Sequence, residues 1–289
     1  MFEGVYTAIV TPFDRQGEVD YGKFRELIAM QKEGGVAGIV PVGTTGESPT
    51  LDVPEHEKVI ETAVQAAGDT LQVIAGTGGN ATSEALVLTR HAQEAGAAAT
   101  LQVTPYYNKP SQEGLYRHFS AVADVGLPVV LYNVPGRVSC EIAVDTVVRL
   151  AAHPRIVALK EAGGSADRVS AILSRCDIGI LSGDDGLTFP MMALGARGVI
   201  SVASNVAPKA VSEMARLALA GQWEEARRLH YKLYPLFTDL FLDTNPVPVK
   251  AALAMMGLVE ETYRLPLCPL SDAKKEALRK TLQAQGLVA

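Results

Sequence analysis

The chain has 289 residues, 48% of them hydrophobic and 20% charged, with a net charge of −6 and a pI near 5.5. An acidic balance argues against a broad nucleic-acid surface, which draws its affinity from Lys and Arg neutralising phosphates, and no apolar run reaches membrane-spanning length. Neither nucleic acid nor membrane is expected as a partner, and length and composition describe a soluble globular protein with room for one α/β barrel and an appendage.

The first residues, MFEGVYTAIV, lack the basic segment and apolar core of an export signal. Cys140, Cys176 and Cys268 form neither an even disulfide framework nor a Cys-x-x-Cys site. Both readings predict a cytoplasmic protein.

In chain order, eight short apolar runs each end in Gly, Pro or polar residues and precede a helix-like segment. They are VYTAIVTPF (5–13), GIVPVG (38–43), LQVIAGTG (71–78), ATLQVTPYY (99–107), PVVLYNVP (128–135), IVALKEAG (156–163), IGILSGDD (178–185) and GVISVASN (198–205). Their starts lie roughly 20 to 33 residues apart, enough for a strand, a loop and a crossover helix in each unit. Amphipathic segments such as YGKFRELIAMQKEGG, HEKVIETAVQAAGD and SEALVLTRHAQEAGA lie between them and finish in the glycine expected after a helix. Eight β-α units predict an α/β fold of the TIM (β/α)8 barrel type. A doubly wound open sheet would show an early GxGxxG turn, and none follows the first run.

Beyond residue 222 only helical patterns remain, in QWEEARRLHYKLYPLFTDLFL, PVPVKAALAMMG and SDAKKEALRKTLQAQG. The expected division is a barrel with the active site over 1–222 and a small C-terminal helical domain over 223–289, packed on the barrel or on a neighbouring subunit.

Barrel chemistry sits at the C-terminal ends of the strands, so those positions are read as a set. Gly43, Thr44, Thr45, Gly46 and Glu47 end the second run before a helix. They form either an anion site of exposed N–H groups or an ordinary capping turn. Tyr106 and Tyr107 end the fourth run and Tyr132 the fifth. Each is a packed ring or an acid/base hydroxyl. Arg137 has a planar fork suited to a carboxylate, or makes a loop ion pair.

Lys160 closes the apolar stretch of the sixth run. Alternation puts Ile156 and Ala158 on its face, with the small Ala158 leaving room beside it. Burial disfavours the ammonium form and makes a neutral amine available to attack a carbonyl. The alternative is an ion pair with Glu161, but adjacent strand residues point to opposite faces. His56, His91, His118, His153 and His230 show no HxH or HExxH spacing, so no metal site is expected. Asp184 and Asp185 crowd the end of the seventh run, where a phosphate site would present backbone donors. That argues against pyridoxal-phosphate and sugar-phosphate chemistry.

Six motifs in order, GTTGES, TPYYNKPSQEGLYRHF, YNVPGR, LKEAGG, LSGDD and NPVPVKAAL, are similar to those of the pyruvate-dependent class I lyase/synthase family that includes N-acetylneuraminate lyase. The resemblance runs from Phe2 to about Leu287. It implies that Lys160 forms a Schiff base with pyruvate, with no cofactor beyond that covalently held substrate. It implies that Tyr132 moves protons, with Thr44 and Tyr107 linking it to solvent, and that Thr45, Gly43, Arg137 and Ile200 contact substrate. Tyr107 would come from the neighbouring subunit of a homotetramer.

Arg137 favours the synthase branch, which condenses pyruvate with aspartate semialdehyde, over the lyases of sugar acids. Another pyruvate-dependent aldolase or dehydratase acting on a sugar acid is the alternative, and a catalytically silent barrel serving as a binding protein is a third reading. Val138 departs from a threonine common at that position. Ser48, His56, Asn80, Glu84 and Tyr106 match a feedback site for lysine, whereas Val53 replaces the histidine of well-inhibited members and Pro49 also differs. Retained but weakened inhibition is the expectation.

Overall fold

The structure is a computed structural model and describes residues 2–289. Eight strands close into a parallel barrel in sequence order: β1 (Gly4–Ala8), β2 (Gly38–Val40), β3 (Gln72–Gly76), β4 (Ala99–Val103), β5 (Val129–Asn133), β6 (Ile156–Glu161), β7 (Gly179–Ser182) and β8 (Gly198–Ser201). The outer ring comprises α1 (Tyr21–Glu33), α2 (Val53–Ala67), α3 (Thr82–Glu94), α4 (Gln112–Ala123), the single turn α5 (Pro135–Val138), α6 (Val144–Ala151), α7 (Asp167–Leu173), α8 (Asp185–Ala193) and α9 (Pro208–Leu219). The expected barrel is present, and each of the eight apolar runs contains one strand.

The strands are shorter than their runs. The second run continues to Gly43 but β2 ends at Val40, so residues 41–43 already belong to the loop at the barrel mouth. Parallel strands are buried on both faces, which removes the polar alternation that would mark where a strand stops. The helices start where side chains can satisfy their free N–H groups. Asp52 and Glu55 form a reciprocal capping box on α2, and Ser111 caps α4. Gly35 and Gly96, at φ +73° and +90°, take the left-handed conformation just after α1 and α3.

Two apolar layers result. Tyr6, Ile74, Leu101, Val130, Leu181 and Ile200 fill the barrel interior, while Ile39, Val73, Leu131, Leu159 and Ile180 face the helices. Each fully buried aliphatic side chain contributes about 1.5–3 kcal/mol by leaving water. Ile156 corrects one expectation: it lies in the outer layer, not beside Lys160. The β5–β6 register shifts between Val129 and Val130, pairing Val129 with Ile156 but Val130 with Ala158. This irregularity breaks the parity on which the sequence reading relied. From Ala158 onward alternation holds, and Ala158 faces the interior.

Three helices follow the barrel: α10 (Trp223–Asp239), α11 (Val247–Met255) and α12 (Asp272–Ala284). α10 packs on α8 and α9, and α12 packs on α10 and α11. Among the described residues no helix is long and apolar enough to cross a membrane.

His56 and His118 give the fold a pH dependence. Burial pushes both imidazoles down to about 4. The His56 Nε2 lies 2.9 Å from the Gly76 carbonyl, and the His118 Nδ1 lies 2.9 Å from the Thr82 hydroxyl. An unfolded histidine titrates near 6.5, so between about 6.5 and 4 the unfolded chain takes up protons that the native state refuses. Stability contributed by these groups is therefore complete above about pH 6.5 and is lost as pH falls toward 4, by up to about 1.4 kcal/mol per pH unit for each histidine. Urea midpoints at pH 7 and 5 should show this loss, and His118→Gln should reduce it. An unchanged slope in that variant would refute the assignment.

Candidate active site

Lys160 and Tyr132 reach the barrel mouth from adjacent strands and are paired in the β5–β6 register. The Lys160 Nζ lies 4.1 Å from the centroid of the Tyr132 ring. Lys160 is only 7% exposed and Tyr132 6%, so both side chains are buried. Among the described residues no carboxylate lies within ion-pair reach of the Lys160 amine.

Glu161, its chain neighbour, faces outward as alternation requires. It accepts two hydrogen bonds from the Asn133 amide, at 2.9 and 3.1 Å, one from the Gly163 N–H at 2.6 Å and one from Arg168 Nε at 3.1 Å. This buried network braces β5 against β6 immediately behind the Tyr132–Lys160 pair.

Lys160 lines a cavity of about 150 Å³ together with Thr44, Thr45, Tyr132, Arg137 and Asn245. Gly43, Ala162, Gly183, Asp184 and Phe241 complete much of the wall. A second cavity of about 430 Å³ adjoins it and shares Gly43, Thr44, Tyr132 and Arg137. Its far side contains Ser48, Val53, His56, Glu84 and Tyr106. Seven of the predicted residues at the imine and substrate positions are thereby placed as follows: Lys160, Tyr132, Thr44, Thr45, Arg137 and Gly43 share the smaller cavity, and Ile200 does not. Ile200 is 1% exposed within the interior layer, and Val202, two residues later, lines the cavity instead.

Tyr107 also stands apart. It is 92% exposed with φ +71° and lines neither cavity. Asn80 does not line the larger cavity, and its backbone carbonyl accepts the Asn108 amide at 2.8 Å.

Gly183 is required by close approach. A Cβ at this position would lie 3.0 Å from Lys160 Cε and 2.7 Å from Ala162 Cβ. Gly183→Ala should therefore displace the amine while leaving the barrel folded. Since misplacement of a reacting group by about 1 Å costs on the order of 100-fold, the rate of borohydride-trapped adduct formation with pyruvate should fall by about that factor; an unchanged rate would show that Lys160 has space to spare.

Asp184 and Asp185 have separate tasks. Asp184 caps α8 by accepting the Leu187 N–H at 3.2 Å. Asp185 is buried and accepts the Ser201 hydroxyl and the N–H groups of Val202 and Ala203, both at 2.9 Å. Burial pushes its carboxyl up, and these three donors pull it back. The backbone donors after β8, where barrels commonly hold phosphate, are thus engaged by a carboxylate of the chain itself.

The sequence reading assigned no role to Asn245 or Lys250 and read Glu47 only as part of the Gly43–Glu47 turn, although all three fall within the quoted motifs GTTGES and NPVPVKAAL. Lys250 is a second buried amine, but its Nζ sits 2.5 Å from Glu47 Oε1 with both side chains fully buried. Burial pushes this amine down and the Glu47 carboxylate pulls it back up, and the side chain lines neither cavity. Asn245 donates to the Thr45 hydroxyl at 3.0 Å, and its carbonyl accepts from Arg137 Nη2 at 3.1 Å.

A buried amine without a counter-ion, faced by hydroxyls and one guanidinium at the mouth of a (β/α)8 barrel, fits the pyruvate-dependent lyase/synthase class of enzymes. The chain belongs to the dihydrodipicolinate synthetase family, whose sequence profile matches residues 1–285. A 4-hydroxy-tetrahydrodipicolinate synthase of Geotalea daltonii is 52% identical over 291 aligned positions, covering 100% of both chains. The structure of the chloride-inhibited dihydrodipicolinate synthase of Acinetobacter baumannii complexed with pyruvate matches with a TM-score of 0.98 at 45% identity and covers 100% of both chains. The corresponding enzyme of Cyanidioschyzon merolae with lysine bound matches with a TM-score of 0.97 at 41% identity over 99% of each chain.

Proposed function

We propose that this protein catalyses the 4-hydroxy-tetrahydrodipicolinate synthase reaction, the Schiff-base condensation of pyruvate with L-aspartate 4-semialdehyde in lysine (diaminopimelate) biosynthesis. The observation that carries the reading is the unpaired, 7% exposed Lys160 amine beside Tyr132, in one cavity with Thr44, Thr45 and Arg137. The amine adds to the keto carbon of pyruvate, and loss of water leaves an imine. The Thr44–Thr45 loop holds the pyruvate carboxylate. Removal of a methyl proton then gives an enamine, whose terminal carbon attacks the aldehyde carbon of the second substrate. Tyr132 passes protons to and from the reacting oxygen, and Arg137 binds the carboxylate of the aldehyde substrate as a planar donor. Pyruvate is the only group held covalently, and no separate cofactor enters the scheme.

The proposal extends to a cytoplasmic homotetramer. Tyr107 stands in solvent on a left-handed backbone, a conformation uncommon outside glycine, and this supports its insertion into the proton relay of a neighbouring subunit. Ser48, His56, Glu84 and Tyr106 face one cavity that shares its Thr44–Tyr132 wall with the Lys160 site. That arrangement supports feedback by lysine, weakened by Val53 and Pro49. A titration with lysine should lower the steady-state rate, and an unchanged rate at saturation would remove the regulatory reading.

Steady-state rates with pyruvate and a panel of aldehydes test the main assignment. Aspartate semialdehyde should give the highest kcat/KM. A sugar-acid aldehyde exceeding it would transfer the protein to another branch of the family.

A further inference from the structure

The loop that holds Thr44 and Thr45 is bounded by two non-glycine residues at positive φ, Val42 at +49° and Glu47 at +53°. Such conformations are strained for residues with a Cβ and persist only where the surroundings enforce them. Between these two positions Thr45 is tied to Asn245, whose amide donates to Thr45 Oγ1 at 3.0 Å. At the far end the enforcing group is Lys250, which meets Glu47 Oε1 at 2.5 Å. The ammonium also lies 4.2 Å from the centroid of the Phe13 ring and 5.3 Å from that of Tyr263. The second Glu47 oxygen accepts the Arg264 N–H at 3.4 Å, and the Arg264 guanidinium clamps Glu55 at 2.6 Å through each oxygen.

Stability alone does not account for this arrangement. A fully buried ion pair is commonly matched or exceeded in stability by apolar groups of similar volume, because desolvation offsets the attraction. What an ion pair supplies and an apolar pair does not is a directed contact, here between two points 203 residues apart in sequence. α11 begins two residues beyond Asn245, so one short segment, Asn245 and the first turns of α11 as far as Lys250, fixes the threonine loop at Thr45 and Glu47, and also fixes Arg137 through the Asn245 backbone carbonyl.

We propose that Glu47 and Lys250 are positioning residues for pyruvate: their ion pair holds the Gly43–Glu47 loop against α11 so that Thr44 and Thr45 face the substrate carboxylate beside Lys160. The proposal rests on the pyruvate reading above. It makes the C-terminal helices a structural part of the site, since two of the elements that recognise carboxylates are attached to α11.

The double variant Glu47→Gln/Lys250→Met tests it by replacing the pair with neutral side chains of similar volume. It should melt close to the wild-type protein. The pyruvate concentration giving half-maximal borohydride-trapped adduct should nevertheless rise at least about tenfold, while kcat at saturating pyruvate changes less than about threefold. A stable double variant that retains wild-type affinity for pyruvate would overturn the proposal. Should the double variant not fold, Glu47→Gln alone gives the same readout: a raised half-saturation with kcat retained supports the proposal, and an unchanged one overturns it. Wild-type protein that forms no adduct would instead refute the pyruvate reading itself.

Discussion

Incubation with pyruvate and borohydride should add mass to the tryptic peptide carrying Lys160, and Lys160→Ala should abolish that adduct and lower kcat by at least about a thousandfold. The expectation follows from three properties of the site. Lys160 is buried, only 7% exposed, and lines the cavity at the barrel mouth. No described carboxylate pairs with its amine, since Glu161 is turned outward to Arg168 and Asn133. Arg137 and two threonines line the same small cavity, where a keto acid can be oriented with its carbonyl at the amine. Peptide mapping also distinguishes the other lysines. Lys250 is held by Glu47 and should stay unmodified, and an adduct on Lys250 or on Lys109 in place of Lys160 would refute the mechanism.

Tyr132→Phe should lower kcat by about 10²–10⁴-fold, the usual range for removal of a positioned acid/base. The pyruvate adduct on Lys160 should still accumulate on long incubation. The substitution keeps the ring, so the contact with the Lys160 Nζ at 4.1 Å and the packing of a 6% exposed side chain are retained. Only the hydroxyl is lost. Partial retention of adduct with collapse of turnover is the signature of a proton-transfer residue, whereas a fall in kcat of less than about tenfold would reduce Tyr132 to a packing role. Melting temperature serves as the control, because loss of a hydroxyl without loss of volume should shift it little.

Both predictions use residues that were recognisable before any coordinates. Lys160 stood out because an ammonium at the end of an apolar strand has a large desolvation cost, and Tyr132, Thr44 and Arg137 because strand ends are where a barrel holds its chemistry. The helical partners of the site were less visible. Asn245 and Lys250 lie in NPVPVKAAL, an apolar and Pro-rich stretch with no periodic signal for a contact on a loop about 200 residues earlier. Glu47 reads in sequence as an ordinary residue of a glycine-rich turn, yet it is among the most deeply buried carboxylates of the molecule. Tyr107, which the resemblance assigns to the site of a neighbouring subunit, stands in solvent in its own.

By itself the sequence determined the eight strand runs, the outward turn of Glu161 and the place of Lys160 at the end of an apolar strand, because each depends on burial pattern or alternation within a few residues. Only the tertiary structure decided that Ile156 faces the helices, that Ile200 lies within the barrel core while Val202 meets the cavity, and that α11 grips the threonine loop through Asn245 and Lys250. Those outcomes depend on a register shift between two strands and on contacts that form only when distant segments are packed together, and neither is encoded in any local period of the chain.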